Sequence, residues 1–240
     1  MSGGLYVALS GMRTRSAQLD RVAADIANVG TSGYKSERAG SVPAERPYFD
    51  GALDAAVDVV SGPARVDFTP GTLTTTGRDL DCAIDGPGFF ALQTPAGPRY
   101  TRNGHFTRAA GGYLAADDGS PVLGQTGARI PIGVGPVAID ADGTVKVNGA
   151  VAGRLRLVDF ADTTALAREQ GGRFAGPPLS QARTAAGAVR AGAIEASNVS
   201  TMERVAQLTQ ISRNFEALNR GIGVLVNDLD GRAISELGRR

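Results

Sequence analysis

The chain has a single histidine, His105, and a single cysteine, Cys82. A Ser–His–Asp or Cys–His mechanism would have to run through that one imidazole. His105 directly follows Asn103-Gly104, a dipeptide that favours hairpin turns. The ring is therefore expected to be solvated or half-packed, not held in a cleft as a base. Cys82 stands in the alternating run Asp81-Cys82-Ala83-Ile84-Asp85, where a thiol serves as a small buried hydrophobe. One His and one Cys cannot complete a structural zinc site within one chain, and one Cys precludes an internal disulfide. Asp140-Ala141-Asp142-Gly143 opens like a calcium loop. The twelfth position from Asp140 is Val151, where an EF-hand needs Glu, and Val145 and Val147 keep a strand alternation. Asp117-Asp118 also reads as a turn. No glycine-rich loop ends in Gly-Lys-Ser/Thr, and Gly86-Pro87-Gly88 lacks the third glycine and following helix of a dinucleotide motif. Asn198-Val199-Ser200 has the pattern of a glycosylation sequon but serves better as the start of a helix. No catalytic residue, metal ligand or cofactor site is expected.

The elements that would have to position such groups have a different purpose. Leu208, Ile211, Phe215, Leu218, Ile222, Leu225 and Leu229 step by three and four, a heptad seam. Ser200-Thr201-Met202-Glu203 precedes it with the capping-box pattern. At the other end, Leu5, Leu9, Met12, Ser16, Leu19, Ala23 and Ile26 form a second long seam, predicting a helix over Leu5–Ala27. Val7, Val22, Val199, Val205, Val224 and Ile234 fall at least partly off the two seams and call for further neighbours. Gly11 costs that helix up to about 1 kcal/mol relative to Ala, so packing must hold it. Asn28, Gly30 and Gly33 mark the turn that ends it. Between the helices, short alternating runs are separated by Asn103-Gly104, Asp118-Gly119, Asp142-Gly143 and Asn148-Gly149. This is the pattern of an antiparallel sandwich or barrel, with Ile84, Phe89 and Phe90 in its core.

The expected class is α+β. Residues 1–34 with 197–240 form a helical coiled-coil module, 71–160 an inserted antiparallel β-domain, and 35–70 and 161–196 extended connectors. The run Leu53–Val60 is the one apolar stretch in the first connector and reads as a short strand or helical turn. Net charge is +1, which gives no electrostatic case for nucleic acid. No apolar run approaches the ~18 residues of a membrane span, and the first residues lack the basic segment of a cleaved signal peptide. Trp is absent and Tyr numbers five, few for a groove that stacks sugars, so a glycan-binding module is the lesser alternative. A cell-wall hydrolase would want two carboxylates facing a cleft, and the candidate pairs sit in turns.

Three separated motifs resemble the axial proteins of the bacterial flagellum, the rod, hook and hook-associated proteins. Leu5-Tyr6-Val7-Ala8-Leu9-Ser10-Gly11-Met12 with Ile26-Ala27-Asn28-Val29-Gly30-Thr31-Ser32-Gly33-Tyr34-Lys35 is similar to the basal-body rod signature. Gly71-Thr72-Leu73 with Thr76 to Phe90, and Tyr100 to Phe106, resemble the start of the family's β-domain. Glu195-Ala196-Ser197-Asn198-Val199-Ser200 resembles the approach to its last helix. Ala24-Asp25 stands where the family usually has two asparagines, and Ile211-Ser212-Arg213-Asn214-Phe215 departs from its usual Gln-Arg-aromatic. The length and opening look most like the proximal rod members; the distal rod and short hook-type proteins are the alternatives. The resemblance implies a structural subunit of a helical tube that transmits torque and encloses an export channel. It implies as partners copies of itself, other rod proteins and the flagellar type III export apparatus, with no nucleic acid and no small-molecule substrate. It places the chain in the periplasm-spanning basal body, exported without signal cleavage. Leu5, Leu9, Met12, Leu19, Ile26, Leu208, Ile211, Phe215, Leu218, Ile222, Leu225 and Leu229 would then carry the subunit contacts.

Overall fold

The computed structural model describes residues 2–40 and 62–237, with side chains placed for 11–38 and 64–221. A helix, α1, spans Ser2–Ala27, and a second, α2, spans Thr201–Leu237. The chain divides into two compact units. The first holds residues 1–27, 37–65 and 200–240, and the second residues 28–36 and 66–199. The run Leu53–Val60 lies outside the described residues.

In the first unit α1 and α2 pack on each other. The Ser200 hydroxyl accepts from the Glu203 amide at 3.5 Å, a long version of the expected cap. The first connector is partly sheet: Glu37–Gly40 (β1) pairs with Gly62–Val66 (β2).

The second unit holds β3 (Leu73–Thr75), β4 (Cys82–Asp85), β5 (Phe89–Thr94), β6 (Gly97–Thr101), β7 (Phe106–Arg108) and β8 (Leu114–Ala116). These are followed by β9 (Val137–Ile139), β10 (Thr144–Val147), β11 (Ala150–Arg154) and β12 (Leu157–Asp159). The segment expected to be a return connector, 161–196, is instead built into the sheets. It supplies β13 (Ala167–Arg168), β14 (Arg173–Ala175), β15 (Arg183–Thr184), β16 (Ala188–Ala191) and β17 (Ala193–Glu195). The largest sheet runs β13-β14-β6-β5-β12-β15, while β16 pairs with β4 and β17 with β3, all antiparallel. These strands are two to four residues long and rich in Ala and Arg. Their side chains carry almost no strand pattern, and they exist because β3, β4, β6 and β12 offer edges to pair with.

Strand β5 organises two cores. Phe90 and Leu92 face one, with Cys82, Ile84, Phe106, Leu114 and Val145. Phe89 and Ala91 face the other, with Tyr100, Val158, Phe160 and Phe174. Adjacent strand residues point to opposite faces, so the Phe89-Phe90 pair feeds both cores at once. Phe90 meets the edge of Phe106 at 5.1 Å between centroids, and Phe89 meets Phe68 at 5.2 Å.

Three of the four expected hairpin turns form. Asp118-Gly119 closes β8 onto the chain at Pro121, Asp142-Gly143 joins β9 to β10, and Asn148-Gly149 joins β10 to β11. In the last, Asn148 has φ 52° and Gly149 φ 80°, as a type I′ turn requires. Asn103-Gly104 is the exception, since β6 pairs with β5 and β14, and β7 with β8. Gly104 is there for a close approach: its carbonyl accepts from the Cys82 amide at 2.9 Å, and a Cβ would overlap the Cys82 carbonyl oxygen.

Candidate functional site

The first candidate is the face shared by the two helices. Of the seam residues with described side chains, only Ile211 is buried; Met12, Leu19, Ile26, Leu208, Phe215 and Leu218 are half-buried, and Ser16 and Ala23 are exposed. Leu5, Leu9, Ile222, Leu225 and Leu229 lie on the helices outside the residues whose side chains are described. Among the described side chains of α1, the most buried are Val22 and Asp25, neither of which belongs to the seam read from the sequence. Arg204 Nε lies 3.1 Å from an Asp25 carboxylate oxygen, so an ion pair, buried at Asp25, joins α1 to the start of α2. The heptad reading missed Val22 because a strict seven-residue step from Leu5 to Ile26 passes it by. A straight helix turns with a period nearer 3.6, which carries the contact stripe sideways to Val22 and Asp25. Val205 and Met202 are exposed on the first turns of α2.

The second candidate is a buried ionic clasp inside the β unit. Glu195 is fully buried at the end of β17. One of its carboxylate oxygens accepts from the Lys35 ammonium and from the Gly71 amide, at 2.9 Å for the latter. The other accepts from Arg102 Nε at 2.7 Å. Lys35 also donates to the Thr69 carbonyl at 2.9 Å, and Arg102 to the carbonyls of Gly86 and Gly88 at 2.9 and 2.7 Å. Two cations and one anion are thus held together by hydrogen bonds to oxygen. Burial pulls the Lys35 ammonium below its ordinary value, against the opposing pull of Glu195. Around the clasp, the Gly33 amide donates to the Glu195 carbonyl at 2.7 Å, and the Ser36 amide to Asn198 Oδ1 at 2.8 Å. Asn198 in turn donates to the Asp67 carbonyl at 2.8 Å. The chain segments that open and close the unit therefore lie side by side.

Of the turn residues, Asn28 accepts from the Thr31 amide and hydroxyl at 3.1 and 3.2 Å. Gly33 has φ +68°, and a Cβ there would strike the Arg102–Asn103 backbone. Gly30 has no positive φ and open space around it. Neither Lys35, Arg102 nor Glu195 was singled out by sequence reasoning. One signal was present: lysine occurs only at positions 35 and 146, and a scarce residue type set just after a helix stop marks a place where a point charge on a slim stem is wanted.

His105 takes no part in a nucleophilic arrangement. Its Nδ1 lies 2.8 Å from the buried Asp81 carboxylate, its Nε2 lies 3.8 Å from Asp117, and an Arg78 nitrogen is 2.8 Å from Nδ1. The nearby hydroxyl of Thr76 donates to Asp81 at 2.6 Å, and so is engaged away from the imidazole. Burial, reinforced by Asp81, pushes the Cys82 thiol well up, away from the reactive thiolate. Asp140 is paired with Lys146 at 2.6 Å, and Asp142 accepts from the Thr144 amide and hydroxyl at 3.0 and 2.9 Å. Those turn bonds, with Arg154 nearby, hold the Asp142 carboxyl below its ordinary value. Among the described residues no group of three or more His, Cys, Asp or Glu is placed to hold a metal ion.

Residues 5–35 match the family described as Flagella basal body rod protein, and residues 83–147 match the Flagellar hook protein FlgE/F/G D1 domain. The chain is 34% identical to the flagellar basal-body rod protein FlgF of Caulobacter vibrioides, covering 100% of this chain and 99% of that protein. It is 33% identical to FlgF of Rhizobium meliloti, covering 99% of each. It is 30% identical to the basal-body rod protein FlgG of Bacillus subtilis, covering 90% of this chain and 92% of that protein.

Proposed function

Since this chain belongs to the flagellar basal-body rod protein family, we propose that it is a subunit of the proximal part of that rod, joined to its neighbours through the faces of α1 and α2. Its role is structural: it stacks with copies of itself and with other rod subunits into a helical tube, and the chemistry it needs is packing. The observation that carries this reading is the state of the helix seam. Met12, Leu19, Ile26, Leu208, Phe215 and Leu218 all stay half-buried after α1 and α2 have packed on each other. Covering a large apolar side chain fully is worth about 1.5–3 kcal/mol. A row of six leaves a strong drive for further helices to close over the pair, which a tube wall provides. Full-length similarity to FlgF-named proteins at 33–34% favours the proximal position.

The test uses a strain whose only copy carries Phe215→Asp. A charge on the seam would have to be buried at a cost of several kcal/mol. The variant should be absent from purified hook–basal bodies, with motility lost, while the soluble protein keeps the strand signature of its β unit. Normal motility with the variant in place would exclude the seam as the assembly surface. Peptide mass spectrometry of the same bodies with hooks and filaments sheared off separates rod from hook: rod peptides stay with the body, and hook-type peptides leave.

A further inference from the structure

Asn-Gly occurs twice in the chain, at Asn103-Gly104 and Asn148-Gly149. The pair is chemically labile, because glycine has no Cβ to shield a backbone nitrogen that lies one ring closure from the asparagine Cγ. The fold treats the two pairs in opposite ways.

Asn103 is half-buried and Gly104 is buried. Asn103 Oδ1 accepts from the His105 amide at 3.0 Å, and the Asn103 amide donates to the Thr101 hydroxyl at 3.0 Å. Gly104 is wedged between the Cys82 carbonyl and the Phe90 ring, so its peptide has no room to swing its nitrogen onto Cγ. Asn148 and Gly149 are both exposed, at the tip that joins β10 to β11. A Cβ on Gly149 would meet no atom within 4 Å, so this peptide is free to turn. Among the described residues the Gly149 amide makes no hydrogen bond. The Asn148 side chain is tied by one long bond, 3.4 Å from Nδ2 to the Val134 carbonyl. Asn148 is also the one non-glycine among the described residues with positive φ, a strain released when the turn opens.

We infer that Asn148 is a site of spontaneous deamidation in the folded protein, and that the fold protects Asn103. The Gly149 nitrogen attacks Asn148 Cγ. The N–Cγ bond forms, the Cγ–Nδ2 bond breaks, and Nδ2 leaves as ammonia with the proton of the Gly149 amide. Water then opens the cyclic imide, at Cγ to give aspartate or at the backbone carbonyl to give isoaspartate. Either product adds a negative charge and removes the donor to Val134. Isoaspartate also inserts a methylene into a two-residue turn, which disturbs the pairing of Val147 with Ala150. The Asn148 amide donates to the Pro136 carbonyl at 3.1 Å, so the loop of Val134 to Pro136 loosens with the turn. The inference concerns the β unit alone and does not depend on the helix-borne assembly proposed above.

The test is peptide mapping by mass spectrometry of the full-length chain aged at mildly alkaline pH, folded in one sample and unfolded in urea in another. In the folded chain the amide-to-acid mass gain should accumulate at Asn148 about tenfold or more faster than at Asn103. In urea the two should react at similar rates. Isomerisation at the Asp-Gly pairs gives no such gain and cannot be confused with it. Isoaspartyl methyltransferase should label the aged peptide that holds position 148. Asn148→Gln should abolish the gain there, and Asn148→Asp should move the Val134 amide NMR signal from the start with the circular dichroism unchanged. An equal or faster gain at Asn103 in the folded chain would overturn the proposal. So would an intact Asn148 where the urea sample has reacted, or the same ratio of rates in both samples. The measurement needs no rod, so its failure and a failure of the seam test are distinguishable.

Discussion

Glu195 shows how much one side chain can hold when both of its carboxylate oxygens are engaged. Its carboxylate meets Lys35, Gly71 and Arg102, which come from three separate stretches of the chain. Glu195→Ala would leave an ammonium and a guanidinium buried with only carbonyls for company. Removing one member of such a buried set costs about 3–5 kcal/mol, and the urea midpoint of the β unit should fall accordingly, with the slope of the transition unchanged. The pair Phe89-Phe90 makes the complementary point for apolar residues. Two adjacent rings serve two different cores, so neither can be replaced by a polar group on a supposed solvent face. Both facts change what a substitution at these positions means: each is a structural lesion of the β unit, distinct from any effect on assembly.

At the scale of elements, α1 is held by contact more than by its own preference. Gly11 sits in its middle, and a Cβ there would meet Leu218 Cδ1 at 3.9 Å, ordinary van der Waals distance. Gly11→Ala should therefore be accepted without repacking and stabilise α1 by about 0.5–1 kcal/mol. A rise in helical ellipticity and in the first thermal transition would show it; a fall would mean that the helices need to sit closer at that point. The presence of both helices was legible in the sequence because seven-residue spacing over three or four turns has few other causes. The detail of their contact was not, since the stripe of a 3.6-residue helix drifts off a strict heptad and brings Val22 and Asp25 inward. The central strands β4, β5, β9 and β10 were equally legible from alternation and turn dipeptides. The strands of 167–195 were not, because short runs of Ala and Arg carry no two-residue pattern and only the open edges of β3, β4, β6 and β12 call them into register. Asn103-Gly104 misled for a related reason. Glycine at that position answers a neighbouring strand's carbonyl, a requirement that local sequence does not display.

For the whole molecule, the β unit is discontinuous in sequence, built from 28–36 with 66–199. A fragment of residues 28–199 retains the clasp and the residues of both cores, and should unfold cooperatively in urea. Residues 71–160 alone lack β13 to β17, Lys35 and Glu195, and should show no cooperative transition. A cooperative 71–160 fragment would mean that the late strands merely decorate a finished core. The clasp also sets an order of events in time. Lys35 and Glu195 are separated by 160 residues, and a chain that emerges from its N-terminal end has no carboxylate to meet Lys35 until almost all of it is free. Contacts of such long range form late and slowly. A half-emerged chain therefore remains open and threadable, and its β unit locks shut only when the last helix is about to follow.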